Sequence, residues 1–507
     1  MRQKILLVLS VVLSLASIIF CYYNDYVIAY GDAESHLNIA KRVISCLTPG
    51  LAQLGGIWLP LPHILMVPLI AFDPLWRTGL AGSLVSAVTF VIACLVVYKL
   101  ALLITENEKI SFLAALIFMT NPNILYLQST PMTELPLIAF SLLNSYFFLK
   151  FIKDKKGLLS LILAGFFGFC ATLTRYDGWF LVTLEVGLLA LFSFLKKQSL
   201  ARAEGQLILF ATPSFYGIFL WFLWNFLIFK NPFYFTNSIF SAKSQQMAWL
   251  ARNQLPAYHH LGLAFIYYLV TSASNIGLVF SLVAASGIIL FILTDKRTIR
   301  FFALPVLLAP FIFYVVSLYF GQSVIFIPSL TPTTFEWRLF NVRYGVMMVP
   351  VAAIFFAYFF RKSSRFLIPL VTIFFFFQLL LYFTGQAEII TLTDGVKGLS
   401  SAKRPDAQKW LKDHYDKGLV LLDDYARSLS VIRAQIPMEK VIYIGTAPFW
   451  EESFKEPEKY ATWIIMQKDD TVWRQLYEQP EMQARLYKYF NKVYTSEEIL
   501  IFKRIGS

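Results

Sequence analysis

The feature that most narrows the fold is a run of long apolar stretches between residues 5 and 384. About 20 apolar residues span the hydrocarbon core only as a helix, because lipid offers no partner for backbone N–H and C=O groups. Such stretches lie at 5–22, 79–104, 110–126, 135–151, 158–174, 179–195, 207–229, 261–293, 301–320, 342–360 and 366–384. One crossing each predicts a polytopic α-helical membrane protein with about 11 transmembrane helices. The 261–293 stretch is longer than one crossing needs and reads as an interfacial helix plus a span. Composition agrees: 57% of the 507 residues are hydrophobic and 17% aromatic, more than a soluble surface carries. No small-residue cleavage site follows the first stretch, and Cys21-Tyr22-Tyr23 fits an aromatic interfacial belt, so it is expected to be a retained helix.

The net charge of +13 belongs entirely to this apolar part, since 18 basic and 18 acidic residues balance from Glu388 onward. That distribution argues against a nucleic-acid partner and for a topology signal. With the N-terminus cytoplasmic, 17 basic residues fall in short cytoplasmic loops, among them Lys150 to Lys156, Lys296 and Arg365, and 9 in the longer opposite loops. The positive-inside rule selects this orientation and places the C-terminal region outside. Cys21, Cys46, Cys94 and Cys170 are scattered without paired spacing and define neither a disulfide framework nor a metal knuckle.

In this orientation the unusual polar residues gather on the outer side. The stretch Tyr30 to Ser45, YGDAESHLNIAKRVIS, has Asp32 and Glu34 on an acidic turn, followed by an apolar pattern that reads as an interfacial amphipathic helix carrying Lys41 and Arg42. A second interfacial segment, GGIWLPLPHILMVPL, has three prolines, which make it a poor spanning helix. Glu134, Arg175 with Asp177, the 230–260 loop and the Arg338/Arg343 loop share that face. Glu185 is the one clear carboxylate inside a span, about six residues and roughly 9 Å below the outer end. It reads either as a functional group or as a hydrogen-bond partner for a neighbouring helix.

GDAESHLNIAKRV, WLPLPHILMVPL, NPNILYLQSTPMTELPL, AGFFGFCATLTRYDGWFLV and NVRYGVMMVPVAAIFF, in that order and on that side, resemble the type-C (GT-C) membrane glycosyltransferases. Within these the pattern is similar to the protein O-mannosyltransferase and aminoarabinose-transferase-like group, over the membrane part to about Thr384. The resemblance implies a polyprenyl-phosphate-linked sugar as donor, a catalytic aspartate in the first outer loop and inversion at the anomeric carbon. One departure stands out: that loop commonly has Asp followed directly by Glu, whereas Ala33 follows Asp32 and the next acid is Glu34.

Transfer from a sugar phosphate to a hydroxyl needs a base at the acceptor and cations at the leaving phosphate. Asp32 is the expected base, with Glu134 as a second acid that positions the acceptor or orients a cation, and Glu34 as a candidate for the missing partner. Arginine suits phosphate because its planar fork binds two oxygens. Arg343 and Arg175 are therefore the first choices as phosphate ligands, followed by Arg338 and Lys41. His36, His63, Trp58 and Asp177 are candidates for binding substrate. Each has a plainer reading: Asp32 as a helix cap, Glu134 as a first-turn acid, Arg175 and Asp177 as an ion pair, Arg343 as a boundary anchor. His36 and His63 near two acids suggest a divalent metal, but their spacing has no ligand pattern and no cofactor is assigned.

From residue 386 to 507 the composition becomes that of a small soluble α/β domain, after a membrane domain at 1–385. GLVLLDD, KVIYIG and TWIIMQK read as strands, DAQKWLKDHY, TVWRQLYEQP and EMQARLYKYF as helices, and VYTSEEILIFKR as a hairpin. The whole is expected to be a cell-envelope glycosyltransferase in the plasma (inner) membrane that takes a polyprenyl-phosphate sugar and delivers it outside to a glycan, lipid or protein. Two other readings fit the pattern: a transporter or flippase of lipid-linked sugars, and an inactive relative that binds lipid or glycan.

Overall fold

The computed structural model describes every residue except 155–156, 296, 336, 363–366, 403–405, 425–428 and 507. Lys155, Lys156, Lys296 and Arg365, expected from the sequence to be cytoplasmic charges, lie outside the described residues. The chain forms two compact units, each built from separated segments.

The first unit comprises Met1–Val27, Gly56–Pro62 and Gly82–Ser400 and is almost wholly helical. Seven helices among the described residues, including Leu80–Thr105, which begins just before this unit, are long and apolar enough to cross a membrane. A further pair, Leu261–Ile276 and Leu278–Thr294, bends by 114° at Gly277. Gly277 has φ +95°, a conformation that glycine reaches without a Cβ clash. The stretch read from the sequence as two pieces is thus two helices in different directions.

Seven helices among the described residues, or eight with the bent pair, meet this length-and-apolarity test, and two of the apolar stretches are shorter for local reasons. The 110–126 stretch divides into Glu108–Met119 and Pro122–Leu127. Asn121 caps the second piece by accepting the Ile124 N–H at 3.1 Å, and Pro122 takes its first turn. The 158–174 stretch yields a helix of only 15 residues, Leu158–Thr172.

Without a hydrophobic force between helices in lipid, close packing and interhelical hydrogen bonds hold them. A Cβ on Gly287 would overlap the Phe355 carbonyl oxygen, so Leu278–Thr294 and Val349–Phe359 approach backbone to backbone. Ser14 in the first helix donates to Gln128 Oε1 at 2.7 Å, and Asn144 Nδ2 donates to the Ala164 carbonyl at 2.9 Å. Glu185 is fully buried in its span, with the Asn144 side chain of a neighbouring helix beside its carboxyl.

The second unit comprises Ile28–Gly55, His63–Ala81 and Ser401–Ser507. Its sheet runs β2–β1–β3–β5–β4, from β1 (Val420–Leu421), β2 (Val441–Ile442), β3 (Trp463–Gln467), β4 (Phe490–Thr495) and β5 (Ile499–Arg504). The first three strands are parallel, and β5 pairs antiparallel with both β3 and β4. The GLVLLDD, KVIYIG and TWIIMQK segments and the final hairpin appear where the sequence placed them. β3 is buried on both faces except at its end, which explains its continuous apolar run. Leu421, Ile464, Met466, Leu486, Phe490 and Phe502 form the core under it, and Leu47 from the segment 28–55 packs against them.

Candidate active site

In the first unit, two arginines distant in sequence meet one carboxylate. Glu134 opens the helix Glu134–Asp154, where the free N–H groups of the first turn favour an acid. Its side chain is fully buried. Oε1 accepts Arg343 Nε at 3.1 Å and Arg175 Nη1 at 3.3 Å. Oε2 is buried with no hydrogen-bond partner among the described residues.

Arg175 precedes the helix Tyr176–Leu195 in extended conformation, so its side chain leaves the helix axis. It donates to Thr133 Oγ1 at 3.2 Å and to the Tyr314 hydroxyl at 3.1 Å, and its Nε lies 3.5 Å from Asp177 Oδ1. Burial opposes its charge, but Tyr314, Asp177 and Glu134 hold the guanidinium proton more firmly than usual. Tyr314 donates to Asp177 Oδ2 at 2.6 Å. Arg343 lies in the tight turn Val342–Met348 and also donates to Ser400 Oγ at 3.2 Å. The Tyr344 ring is flanked by both guanidiniums, at 5.1 Å from Arg175 and 5.2 Å from Arg343, in cation–π range.

This arrangement unites Glu134, Arg175, Asp177 and Arg343, four of the residues singled out from the sequence. Among these four residues, two guanidiniums stand against two carboxylates. What the arrangement offers an anion is fixed geometry more than surplus charge. Tyr314 and Tyr344 were missed: Tyr314 is hidden in an apolar span, whereas Tyr344 was signalled by its place beside Arg343. Arg338 is exposed and donates to the Pro328 carbonyl at 2.6 Å, in a loop of the same unit. Trp58 is half-buried.

In the second unit the helix Gly31–Ile44 starts at Gly31 with Tyr30 as its cap, so Asp32 sits in the first turn and is not the capping residue. Asp32 is half-buried. Glu34, also half-buried, accepts the Ser430 hydroxyl at 2.8 Å. Burial pushes its carboxyl up to about 7, aided by Asp424 and opposed by Ser430 and the Ile432 N–H.

The expectation that Lys41 and Arg42 form the polar face of an interfacial helix is corrected, because both are buried. Lys41 Nζ is 3.1 Å from Asp73 Oδ1 and stands over the Trp76 ring. Burial opposes the charge on Asp73, yet Arg77 and Lys41 hold its carboxyl below the usual range. Arg42 pairs with Asp424 at 2.6 Å and lies 3.7 Å from the Tyr443 ring centroid. Each cation thus has an acid and an aromatic ring as partners, which a helical pattern alone does not disclose. His36 Nδ1 and His63 Nε2 are 2.9 Å apart and buried. Among the described residues no three His, Cys, Asp or Glu side chains form a group that could hold a metal.

Residues 76–224 match the family model described as dolichyl-phosphate-mannose-protein mannosyltransferase. ArnT from Cupriavidus metallidurans, bound to undecaprenyl phosphate, has a similar structure, with TM-score 0.56 over 98% of this chain and 98% of that one at 11% identity. The apo oligosaccharyltransferase of Archaeoglobus fulgidus gives 0.52 over 92% of this chain and 69% of that one at 13% identity. No curated protein matches the chain in sequence. In architecture, then, the chain is an integral membrane protein with the ArnT-like GT-C fold, and its segment 76–224 matches the mannosyltransferase family in sequence.

Proposed function

We propose that the protein is a membrane glycosyltransferase that moves a sugar from a polyprenyl-monophosphate donor to an acceptor hydroxyl on the extracytoplasmic side. The observation that carries this reading is the pair of arginines anchored on Glu134 in a GT-C fold. In the proposed step the acceptor O–H gives its proton to Asp32 and its oxygen bonds to the anomeric carbon. The carbon–oxygen bond to phosphate breaks, the electron pair stays on the polyprenyl phosphate, and Arg343 and Arg175 stabilise the charge that grows there. A single displacement of this kind inverts the anomeric centre. The charge pattern of the loops supports a plasma-membrane protein with a cytoplasmic N-terminus and its C-terminal region outside. The acceptor class, whether glycan, lipid or protein, is set by groups beyond this cluster.

The test is single-turnover transfer from radiolabelled polyprenyl-phosphate sugars in nanodiscs, with cell-envelope extract as acceptor. Wild type is expected to label the extract, and Asp32→Asn to lower the rate about 10²- to 10⁴-fold with donor binding kept. Full turnover by Asp32→Asn would remove the proposed base. Arg343→Ala is expected to weaken donor binding about 10- to 100-fold, as loss of a charge-assisted contact does. Unchanged donor affinity would move the phosphate elsewhere.

A further inference from the structure

Tyr314 lies in the helix Ile299–Tyr319 and is 1% exposed. Two rings stack on its own: Tyr268 at 4.9 Å with 16° between the planes, and Tyr344 at 5.1 Å with 26°. Tyr268 is tied in turn, since its hydroxyl donates to the Tyr344 carbonyl at 3.1 Å. A buried ring packed between stacked neighbours has little room to swing, so its hydroxyl is a fixed point.

That hydroxyl acts in both directions. It accepts Arg175 Nη2 at 3.1 Å and donates to Asp177 Oδ2 at 2.6 Å. Arg175 is thereby gripped at each of its three nitrogens: Nη1 by Thr133 and Glu134, Nη2 by Tyr314, and Nε by the charge of Asp177 at 3.5 Å. The Arg175 side chain still keeps 19% of its surface accessible, against 4% for Arg343, 1% for Glu134 and 8% for Asp177. It is the cation of the cluster that an anion reaches most readily.

Arginine meets phosphate with a planar fork, so the angle of that plane decides how many oxygens it binds. Thr133 and Glu134 hold one end only. Without the Tyr314 hydroxyl the plane can tilt about Nη1 toward Asp177, whose released Oδ2 attracts it. The geometry points to Tyr314 as a positioning residue: its hydroxyl, oriented by Asp177, sets the plane of the Arg175 guanidinium for a lipid-linked phosphate. That this phosphate belongs to a sugar donor rests on the transfer reading above, whereas the grip on Arg175 is read from phosphate binding alone.

The test is a double-mutant cycle on the full chain in nanodiscs, read as equilibrium binding of radiolabelled undecaprenyl phosphate. Arg175→Ala is expected to weaken binding about 10- to 100-fold, as loss of a charge-assisted contact does. Tyr314→Phe keeps the ring stack and should weaken it about 3- to 10-fold, through lost preorganisation. In the Arg175→Ala background Tyr314→Phe should change affinity by less than about 2-fold, because the hydroxyl acts through the guanidinium. Asp177→Asn keeps the size of the side chain without its charge and should show the same dependence on Arg175. A hydroxyl that only supports the packing would weaken binding by equal factors in both backgrounds, and that additivity would overturn the proposal. So would undiminished binding by Tyr314→Phe, or no binding by wild type. Coupled binding in a wild type that transfers no sugar would remove the transfer reading and leave the role of Tyr314 standing.

Discussion

Glu134 shows how much one side chain decides. Both guanidiniums lean on the same carboxyl oxygen, so its charge neutralises and orients Arg175 and Arg343 together. Glu134→Gln keeps the shape but removes the carboxylate that both buried cations share. Breaking a buried ion pair from one side costs about 3–5 kcal/mol, and a clear fall in unfolding temperature is expected in nanodiscs. An unchanged midpoint would mean the arginines find other anchors. Glu34 makes the opposite prediction. Its folded carboxyl titrates near 7 against an ordinary value of 4.5. The folded state therefore keeps a proton that the unfolded chain releases, and stability falls as pH rises from 4.5 to 7. Glu34→Gln removes that loss and should stabilise by on the order of 1–2 kcal/mol above about pH 8, with no gain below about pH 4. Melting curves at the two pH values decide it. Sequence reading found Glu134, Arg175, Asp177 and Arg343 because charged residues beside apolar spans are conspicuous. It missed Tyr314 because a tyrosine within an apolar run reads as packing until a neighbour's guanidinium is seen on its hydroxyl.

At the scale of elements, small residues set how closely helices approach. Gly287 faces the Phe355 carbonyl across the contact between Leu278–Thr294 and Val349–Phe359. Gly287→Val must push these helices apart and should destabilise by about 2–4 kcal/mol, read as a lower unfolding temperature. Normal stability would show that the second helix yields freely. The same elements show where periodicity fails. The length of residues 261–293 already pointed to two pieces, but hydropathy alone does not give the 114° bend at Gly277, just past the polar residues Thr271, Ser272, Ser274 and Asn275. In the 110–126 stretch the Asn-Pro signal at 121–122 was present and is a helix start. A window of average hydropathy passes over it.

At the scale of the molecule, the C-terminal strands and the segments 28–55 and 63–81 belong to one compact unit. Arg42 is paired with Asp424, and Glu34 with Ser430, across nearly 400 residues of chain. Deleting 401–507 strips these partners from buried groups. The truncated protein is expected to lose its monodisperse peak in size-exclusion chromatography, because an unpaired buried cation and an uncovered apolar surface favour association. A well-behaved, active truncation would show that these segments need no C-terminal partner. The loop charges predict further that alkaline phosphatase fused after Ser507 is active in the cell envelope of a bacterial host. An inactive, stable fusion would reverse the proposed orientation.

The sequence by itself determined that this is a polytopic helical membrane protein with a small C-terminal sheet, because length, apolarity and alternation are local properties of a chain in lipid or water. It also marked most of the charged residues of the candidate site, since ionised groups next to spans are rare. Only the tertiary structure decided which acid meets which base. Lys41, read as a phosphate ligand, is held by Asp73, while Arg343 and Arg175 converge on Glu134 from more than 150 residues apart in sequence. Such pairings depend on how helices cross and turns fold back, and these follow from packing of the whole chain rather than from any segment's own pattern.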